Sequence, residues 1–188
     1  MRHRLALGLL AALPLLLAGC GAPAADAPAL APAARPLATQ PSAAPASCPT
    51  TRPPHPRFVP PPPSPPTPPP VEGDKFWYGS SQLWTWLDAE GTWEMARDRH
   101  GLFDKSFWWR QGYDWQTETT PRLRVTGRRL DAPAPTATSS HPTNGFEPSM
   151  GAFMLVGLEV PTGGCWELTG QYHGRSLRFV VRVRSWRP

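Results

Sequence analysis

Hydrophobic and polar residues alternate along most of the C-terminal part of the chain. The clearest runs are 83–87, 154–160 and 177–183, in which every second residue is apolar. A period of two is that of a β-strand with one buried face. No apolar period of 3.6 lasts for three turns, so the pattern predicts an all-β domain.

Shorter β-rich runs fill the rest of this region, at 76–78, 92–95, 107–110, 122–130 and 165–170. Gly, Pro, Asn and Asp separate them, as is typical of turns. The proline-containing stretch 131–149 is predicted to be one long loop. The final run carries arginines on its polar face, a pattern typical of a protected edge strand.

The first residues read as an export signal. Arg2, His3 and Arg4 precede the apolar run 5–18, which is too short for a membrane-spanning helix. Leu17-Ala18-Gly19-Cys20 resembles the lipobox of bacterial lipoproteins. The resemblance implies that residues 1–19 are a lipoprotein signal peptide and that Cys20 carries diacylglycerol and palmitate. The alternative is an ordinary cleaved signal peptide with an incidental cysteine.

Composition divides the remainder into two parts. Residues 20–70 contain most of the 27 prolines, together with Ala, Ser and Thr. Such a segment buries too little apolar surface to order itself, so a disordered linker of polyproline II character is expected. Residues 71–188 hold all 9 Trp and are predicted to form one Trp-rich domain.

Two segments of this domain resemble bacterial immunoglobulin-like domains. Pro161-x-Gly-Gly-x-Trp166-x-Leu168-x-Gly170, followed by a hairpin and the strand 177–183, is similar to their final hairpin. Residues 123–130 are similar to an early strand of the same fold. The resemblance implies an Ig-like β-sandwich, and the whole domain resembles uncharacterised bacterial lipoproteins.

The cysteines and the charge bear on the compartment and the partners. With Cys20 acylated, Cys48 and Cys165 are the remaining thiols, and an exported pair is a candidate disulfide. The alternative is that Cys165 is simply buried.

The formal net charge of +5 comes largely from the leader and linker arginines. A nearly neutral exported domain argues against nucleic acid as a partner.

Catalytic and metal-binding motifs are missing from the sequence. No pair of His, Asp or Glu has ligand spacing on one element, and no G-x-S-x-G, H-E-x-x-H, P-loop or C-x-x-C is present. We therefore predict no catalytic residue, no metal and no cofactor. The alternative is an envelope hydrolase whose site is assembled from loops around Asp98, Asp104, His141 and His173.

The densest group of aromatic and polar residues lies between 107 and 115. Adjacent residues of a strand point to opposite faces of the sheet, so at most one of Trp108 and Trp109 can point into the same core. Exposed aromatic rings beside polar groups suit sugar binding. The candidates for a ligand site are Trp108, Trp109, Arg110, Tyr113, Asp114 and Trp115. The alternative is that these rings fill the core.

These observations predict a lipid-anchored envelope protein on the cell membrane or outer membrane, with its domain facing the periplasm or the exterior. The domain is expected to be a non-catalytic binding or scaffolding module. Its partner would be an envelope protein or a polysaccharide. A purely structural subunit of an envelope complex is a further alternative.

Overall fold

The computed structural model describes residues 47–62 and 74–186, and the described part is all-β. This confirms the fold class predicted from the alternating pattern. The ten strands are β1 (Lys75–Ser80), β2 (Leu83–Asp88), β3 (Thr92–Arg97), β4 (Leu102–Trp109), β5 (Arg124–Arg129), β6 (Ala137–Ser139), β7 (Thr143–Glu147), β8 (Gly151–Val160), β9 (Gly164–Tyr172) and β10 (Arg175–Ser185).

Seven of the strands close into a barrel. Their order around the wall is β3-β4-β8-β6-β5-β9-β10, and β10 then returns to β3. The pairing of β3 with β10 is parallel, and the other pairings of the wall are antiparallel. Closure removes the free edges that a flat sheet would expose. The Ig-like sandwich is not confirmed, because the strands form one continuous sheet that closes on itself.

Three strands extend the sheet beyond the barrel. The hairpin of β1 and β2 pairs with β4 at Trp84↔Trp109 and Thr85↔Trp108, and β7 pairs with β8. Strand β4 therefore contacts β8 along one edge, while β3 and β2 share its other edge.

The barrel interior is the main hydrophobic core. Alternate residues of each strand point inward, as the period of two predicts, and Trp108, Trp166, Met154 and Leu168 are among the fully buried side chains. The Trp108 ring lies directly against the backbone of Gly170, where a Cβ would come within 2.3 Å of the ring. A glycine is needed there to make room for the indole.

Several elements differ from the sequence prediction. Strands β6 and β7 lie within 131–149, which was predicted to be a loop, and β4 begins at Leu102, five residues before the predicted run 107–110. Strand β10 lies between β9 and β3, so it is not an edge strand. Short strands with exposed residues show little alternation of apolar and polar positions, so the sequence does not reveal them. Strands that are neighbours in a closed barrel can lie far apart in sequence, so local pattern does not show which strands pair.

Residues 47–62 form an extended strap along the barrel. The Thr51 N–H donates to Val180 O, and Val180 N–H donates to Thr51 Oγ1, both at 2.8 Å. Arg52 donates to Ala89 O at 2.8 Å, and Phe58 packs on Trp84. The sequence predicted that these residues belong to a disordered linker. In the structure they provide hydrogen-bond partners for the backbone of β10 before the point where its pairing with β3 begins.

The signal peptide, Cys20 and the linker residues 21–46 and 63–70 lie outside the described residues. Among the residues that the structure describes, no helix is long and apolar enough to cross a membrane.

Candidate binding cleft

A cleft opens in the barrel wall where β2 and β3 diverge from β4. Strand β3 pairs with β4 at Leu102 and Phe103, and β2 pairs with it at Trp108 and Trp109. Residues 104–107 of β4 pair with neither strand along this edge. The resulting opening has a volume of about 690 Å³. It leads from the outer surface towards the barrel interior.

The floor of the cleft is polar and fixed by hydrogen bonds. Thr85 and Ser106 are the two buried polar side chains of the described core. Thr85 Oγ1 donates to Phe107 O at 2.8 Å, and Ser106 Oγ accepts from Trp108 Nε1 at 2.6 Å. The Ser106 hydroxyl therefore keeps its own hydrogen for a further acceptor.

Asp104 and Trp93 form the central polar pair of the cleft. Trp93 Nε1 donates to Asp104 Oδ2 at 2.6 Å, and Lys105 N–H donates to Asp104 Oδ1 at 2.7 Å. Each carboxylate oxygen retains a further lone pair for a ligand. A carboxylate held in this way is a pre-oriented hydrogen-bond acceptor.

The rim combines aromatic rings with charges of both signs. Trp86 and Phe107 line one side, with their ring centroids 5.4 Å apart. Besides Asp104, the charged lining side chains are Lys75, Asp88, Glu90, Glu94, Lys105 and Arg184. The cleft therefore offers apolar ring surface beside hydrogen-bond donors and acceptors, which suits an uncharged polar ligand.

The structure places the predicted ligand residues Trp108 and Trp109 in hydrophobic cores. Trp108 is fully buried inside the barrel, and Trp109 is 1% exposed on the outer side of β4. The two rings do point to opposite faces, as adjacent strand residues must. Neither ring presents a face to solvent, which agrees with the alternative that they fill cores.

The other four predicted ligand residues lie in the loop between β4 and β5. Tyr113 is buried, Asp114 is exposed, and Arg110 and Trp115 are half-buried. Arg110 lies over the Tyr172 ring, with Cζ 5.7 Å from its centroid. Trp115 stacks on Phe146 of β7 at a centroid distance of 5.7 Å.

Glu118 holds this loop against the turn between β9 and β10. Its carboxylate accepts hydrogen bonds from Tyr172 Oη and from the Arg122 N–H and lies 3.3 Å from His173 Nε2. Tyr113 Oη donates to Glu118 O at 3.2 Å. Because these bonds occupy the carboxylate, we interpret the group as a structural latch rather than a reaction centre.

Electrostatics in the latch follow from burial and these bonds. Burial raises the pKa of Glu118, but the hydrogen bonds from Tyr172, His173 and Arg122 outweigh it and leave the pKa below its usual 4.5. Burial and the Glu118 carboxylate raise the pKa of the Tyr172 hydroxyl. Glu118 is therefore ionised at neutral pH, and Tyr172 is its neutral donor.

The residues of the hydrolase alternative lie on separate elements. Asp98 lies in the β3–β4 turn, where it accepts from the N–H groups of His100 and Gly101. The hydrogen bond from the His100 N–H makes the largest contribution to the pKa of Asp98 and lowers it below its usual value. His173 lies in the turn between β9 and β10, where its ring is 3.3 Å from the Glu118 carboxylate. Asp104 is in the middle of β4, and His141 lies between β6 and β7.

Within the described residues no group of three or more His, Cys, Asp or Glu side chains is placed to hold a metal ion. The structure thus brings Arg110, Tyr113 and His173 together at one end of the barrel, but leaves Asp98 and Asp104 elsewhere.

Cys48 and Cys165 are joined by a disulfide, with Cα atoms 5.3 Å apart. Asp131 supports the Cys165 end of this link. Its carboxylate accepts from Cys165 N–H at 3.0 Å and from Arg129 Nε at 2.7 Å. Burial raises the pKa of Asp131, but these bonds outweigh it and leave that pKa below its usual value.

The strap borders the cleft. Arg52 binds Ala89 O in the β2–β3 turn, and Gly91 in the same turn lies against the Thr50 side chain. Glu90, between them, is one of the residues that line the cleft. The disulfide therefore fixes one rim of the opening through the strap.

Sequence reasoning missed Trp86, Trp93 and Glu118. The alternation at 83–87 put Trp84 and Trp86 together on one strand face, which was the available signal for an outward aromatic pair. Nothing local distinguishes Trp93 or Glu118, because their partners Asp104 and Tyr172 lie 11 and 54 positions away.

Comparison of the chain with protein-family models, with curated proteins and with solved structures finds no match. The functional argument therefore depends on the geometry of the cleft and on the sequence.

Proposed function

We propose that this chain is an exported, lipid-anchored envelope protein whose barrel is a non-catalytic polysaccharide-binding domain. The cleft between β2, β3 and β4 is the proposed ligand site. The lipobox-like sequence at Cys20 supports the anchor. The disulfide between Cys48 and Cys165 supports an oxidising compartment, since such bonds are rare in the cytosol.

The observation that carries the ligand class is the pairing of Trp93 with Asp104 in a cleft that Trp86 also lines. Sugar rings offer a flat apolar face and a fringe of hydroxyl groups. Trp86 supplies ring surface at the rim, and Asp104 accepts hydroxyl hydrogen bonds with its orientation set by Trp93. Lys105 and Arg184 at the rim would donate to sugar oxygens.

A protein partner is the second candidate. The charges of both signs around the rim would suit a polar protein surface as well as a glycan. The two candidates differ in what removes binding, since a glycan depends on Asp104 inside the cleft, whereas a protein surface depends on the charged side chains of the rim.

The ligand class is tested with the full chain by calorimetric titration of purified cell-wall and capsular polysaccharide fragments. We expect saturable binding that weakens at least tenfold in Asp104→Asn. Asp114→Asn, an equally conservative change at an exposed carboxylate outside the cleft, should bind as the parent does. Absence of binding to every glycan, or equal binding by Asp104→Asn, would overturn the polysaccharide proposal in favour of a protein partner.

The anchor has its own test. Cells expressing the full chain are labelled with a palmitate analogue, and label in the membrane fraction should disappear in Cys20→Ser. Label retained in that variant would contradict lipidation at Cys20.

A further inference from the structure

The outer side of the sheet carries a second hydrophobic cluster, separate from the barrel interior. It is formed by outward-pointing residues of β1, β2, β4 and β8, and we call it the outer aromatic face. Its members on these strands are Trp77, Trp84, Trp86, Phe107, Trp109, Phe153 and Leu155. The outer side of a barrel is usually polar, so an aromatic surface of this extent calls for an explanation.

The outer aromatic face has a buried floor and partly exposed rings above it. Trp84 and Trp109 are each 1% exposed, whereas Trp77 and Trp86 are half-buried. The centroids of Trp77 and Trp86 are 6.0 Å apart at an interplanar angle of 29°, and both rings meet Trp109 edge-on. The result is a rigid aromatic surface with Trp77 and Trp86 as its accessible ridge.

This face already accepts proline-rich chain. Phe58, in the proline-rich strap, packs edge-on against Trp84 with centroids 6.3 Å apart, and Pro60 is buried two residues later. The half-buried Trp77 and Trp86 continue the same surface. One proline-rich segment therefore already packs on the face, through the Phe58 ring.

Free indole N–H groups add specificity for such a chain. Trp109 Nε1 donates to Met150 O, but within the described residues Trp77 and Trp86 make no hydrogen bond through Nε1. Proline-rich peptides in the polyproline II conformation expose backbone carbonyls and dock on aromatic grooves with little loss of conformational entropy.

We propose that the outer aromatic face binds a proline-rich segment of a partner protein in the polyproline II conformation. Proline rings pack against Trp77 and Trp86, and their indole N–H groups donate to peptide carbonyls. This site shares Trp86 and Phe107 with the cleft, but the two proposals can be tested separately, because Trp77 does not line the cleft and Asp104 is not part of the face.

The test uses the full chain and a synthetic peptide that stands in for the partner's segment and has the sequence of residues 60–70 of this chain, Pro-Pro-Pro-Pro-Ser-Pro-Pro-Thr-Pro-Pro-Pro, labelled for fluorescence anisotropy. We expect saturable binding that weakens at least tenfold in Trp77→Ala. Trp186→Ala is the matched control, since Trp186 is 56% exposed but lies outside the face. Asp104→Asn should bind the peptide normally, which separates this proposal from glycan binding.

Two further measurements guard against misfolding and non-specific adhesion. In ¹⁵N-labelled parent protein, the peptide should shift the indole resonances of Trp77 and Trp86 and leave that of Trp166, inside the barrel, unchanged. A peptide of equal length with alanine in place of proline should not bind. No binding, equal binding of the alanine peptide, or unshifted Trp77 and Trp86 resonances would overturn the proposal.

Discussion

Cys48 and Cys165 lie 117 positions apart, and their disulfide fastens the strap to the second residue of β9. The strap then supplies Thr51 to the part of β10 that β3 does not reach, and Phe58 to the outer aromatic face. A segment whose composition predicts a linker is thereby part of the folded domain. Through the strap, the disulfide also holds one rim of the cleft in place, so oxidation of the two cysteines supports that rim.

Loss of the disulfide should destabilise the domain. A cross-link closing so long a loop constrains the unfolded chain, and removal typically costs about 2–4 kcal/mol. We expect the double variant Cys48→Ser/Cys165→Ala to lose unfolding free energy of this order in urea titrations. Reducing the parent with dithiothreitol should produce the same loss and leave the double variant unchanged. Equal stability of oxidised and reduced parent would contradict the expectation.

The strap should contribute to stability beyond its disulfide. Phe58→Ala uncovers Trp84 and removes one aromatic contact, with an expected cost of about 1–2 kcal/mol for a half-buried ring. Val59→Ala is the matched control, because Val59 is 77% exposed. Thermal unfolding of both variants checks this, and a Phe58→Ala melting temperature equal to that of Val59→Ala would show that the ring contact contributes nothing.

Glu118 should make the domain sensitive to acid. The pKa of Glu118 in the folded state lies below the usual 4.5. The ionised carboxylate therefore contributes its full stabilisation to the fold above pH 4.5, and this contribution is lost as the pH falls through the pKa of the folded state. Glu118→Gln is expected to cost about 1 kcal/mol at pH 7, with the difference from the parent shrinking below pH 4.5. Urea titrations at pH 7, 4.5 and 3 test this.

Tyr172→Phe provides the second arm of that experiment. It removes a hydrogen bond that lowers the pKa of Glu118, so the parent should lose more stability than this variant between pH 7 and pH 3. Parallel pH profiles for all three proteins would contradict a latch centred on Glu118.

Gly170 should tolerate no side chain while Trp108 is present. A Cβ at this position would lie 2.3 Å from the Trp108 ring, and overpacking of this kind costs about 1–3 kcal/mol. We expect Gly170→Ala to be destabilising in urea, and Trp108→Phe to reduce the cost of the alanine. A double-mutant cycle measures the coupling, and additive effects would show that the two residues do not interact.

Local pattern was enough to predict the class of fold and several strands. The period of two at 83–87, 154–160 and 177–183 reappears in β2, β8 and β10, because inward and outward positions alternate within each strand. The opposite directions of Trp108 and Trp109 followed from the same rule. The sequence also offered Cys48 and Cys165 as a candidate pair, and the structure joins them.

Tertiary structure alone decided how the strands close and where the aromatic rings meet. The cleft exists because β2 and β3 share one edge of β4, and its polar pair joins Trp93 of β3 to Asp104 of β4. The strap adopts its place through contacts with Val180 and Trp84, far away in sequence. Pairing and burial of this kind depend on which segments meet in space, whereas local periodicity reports only which face of a segment is apolar.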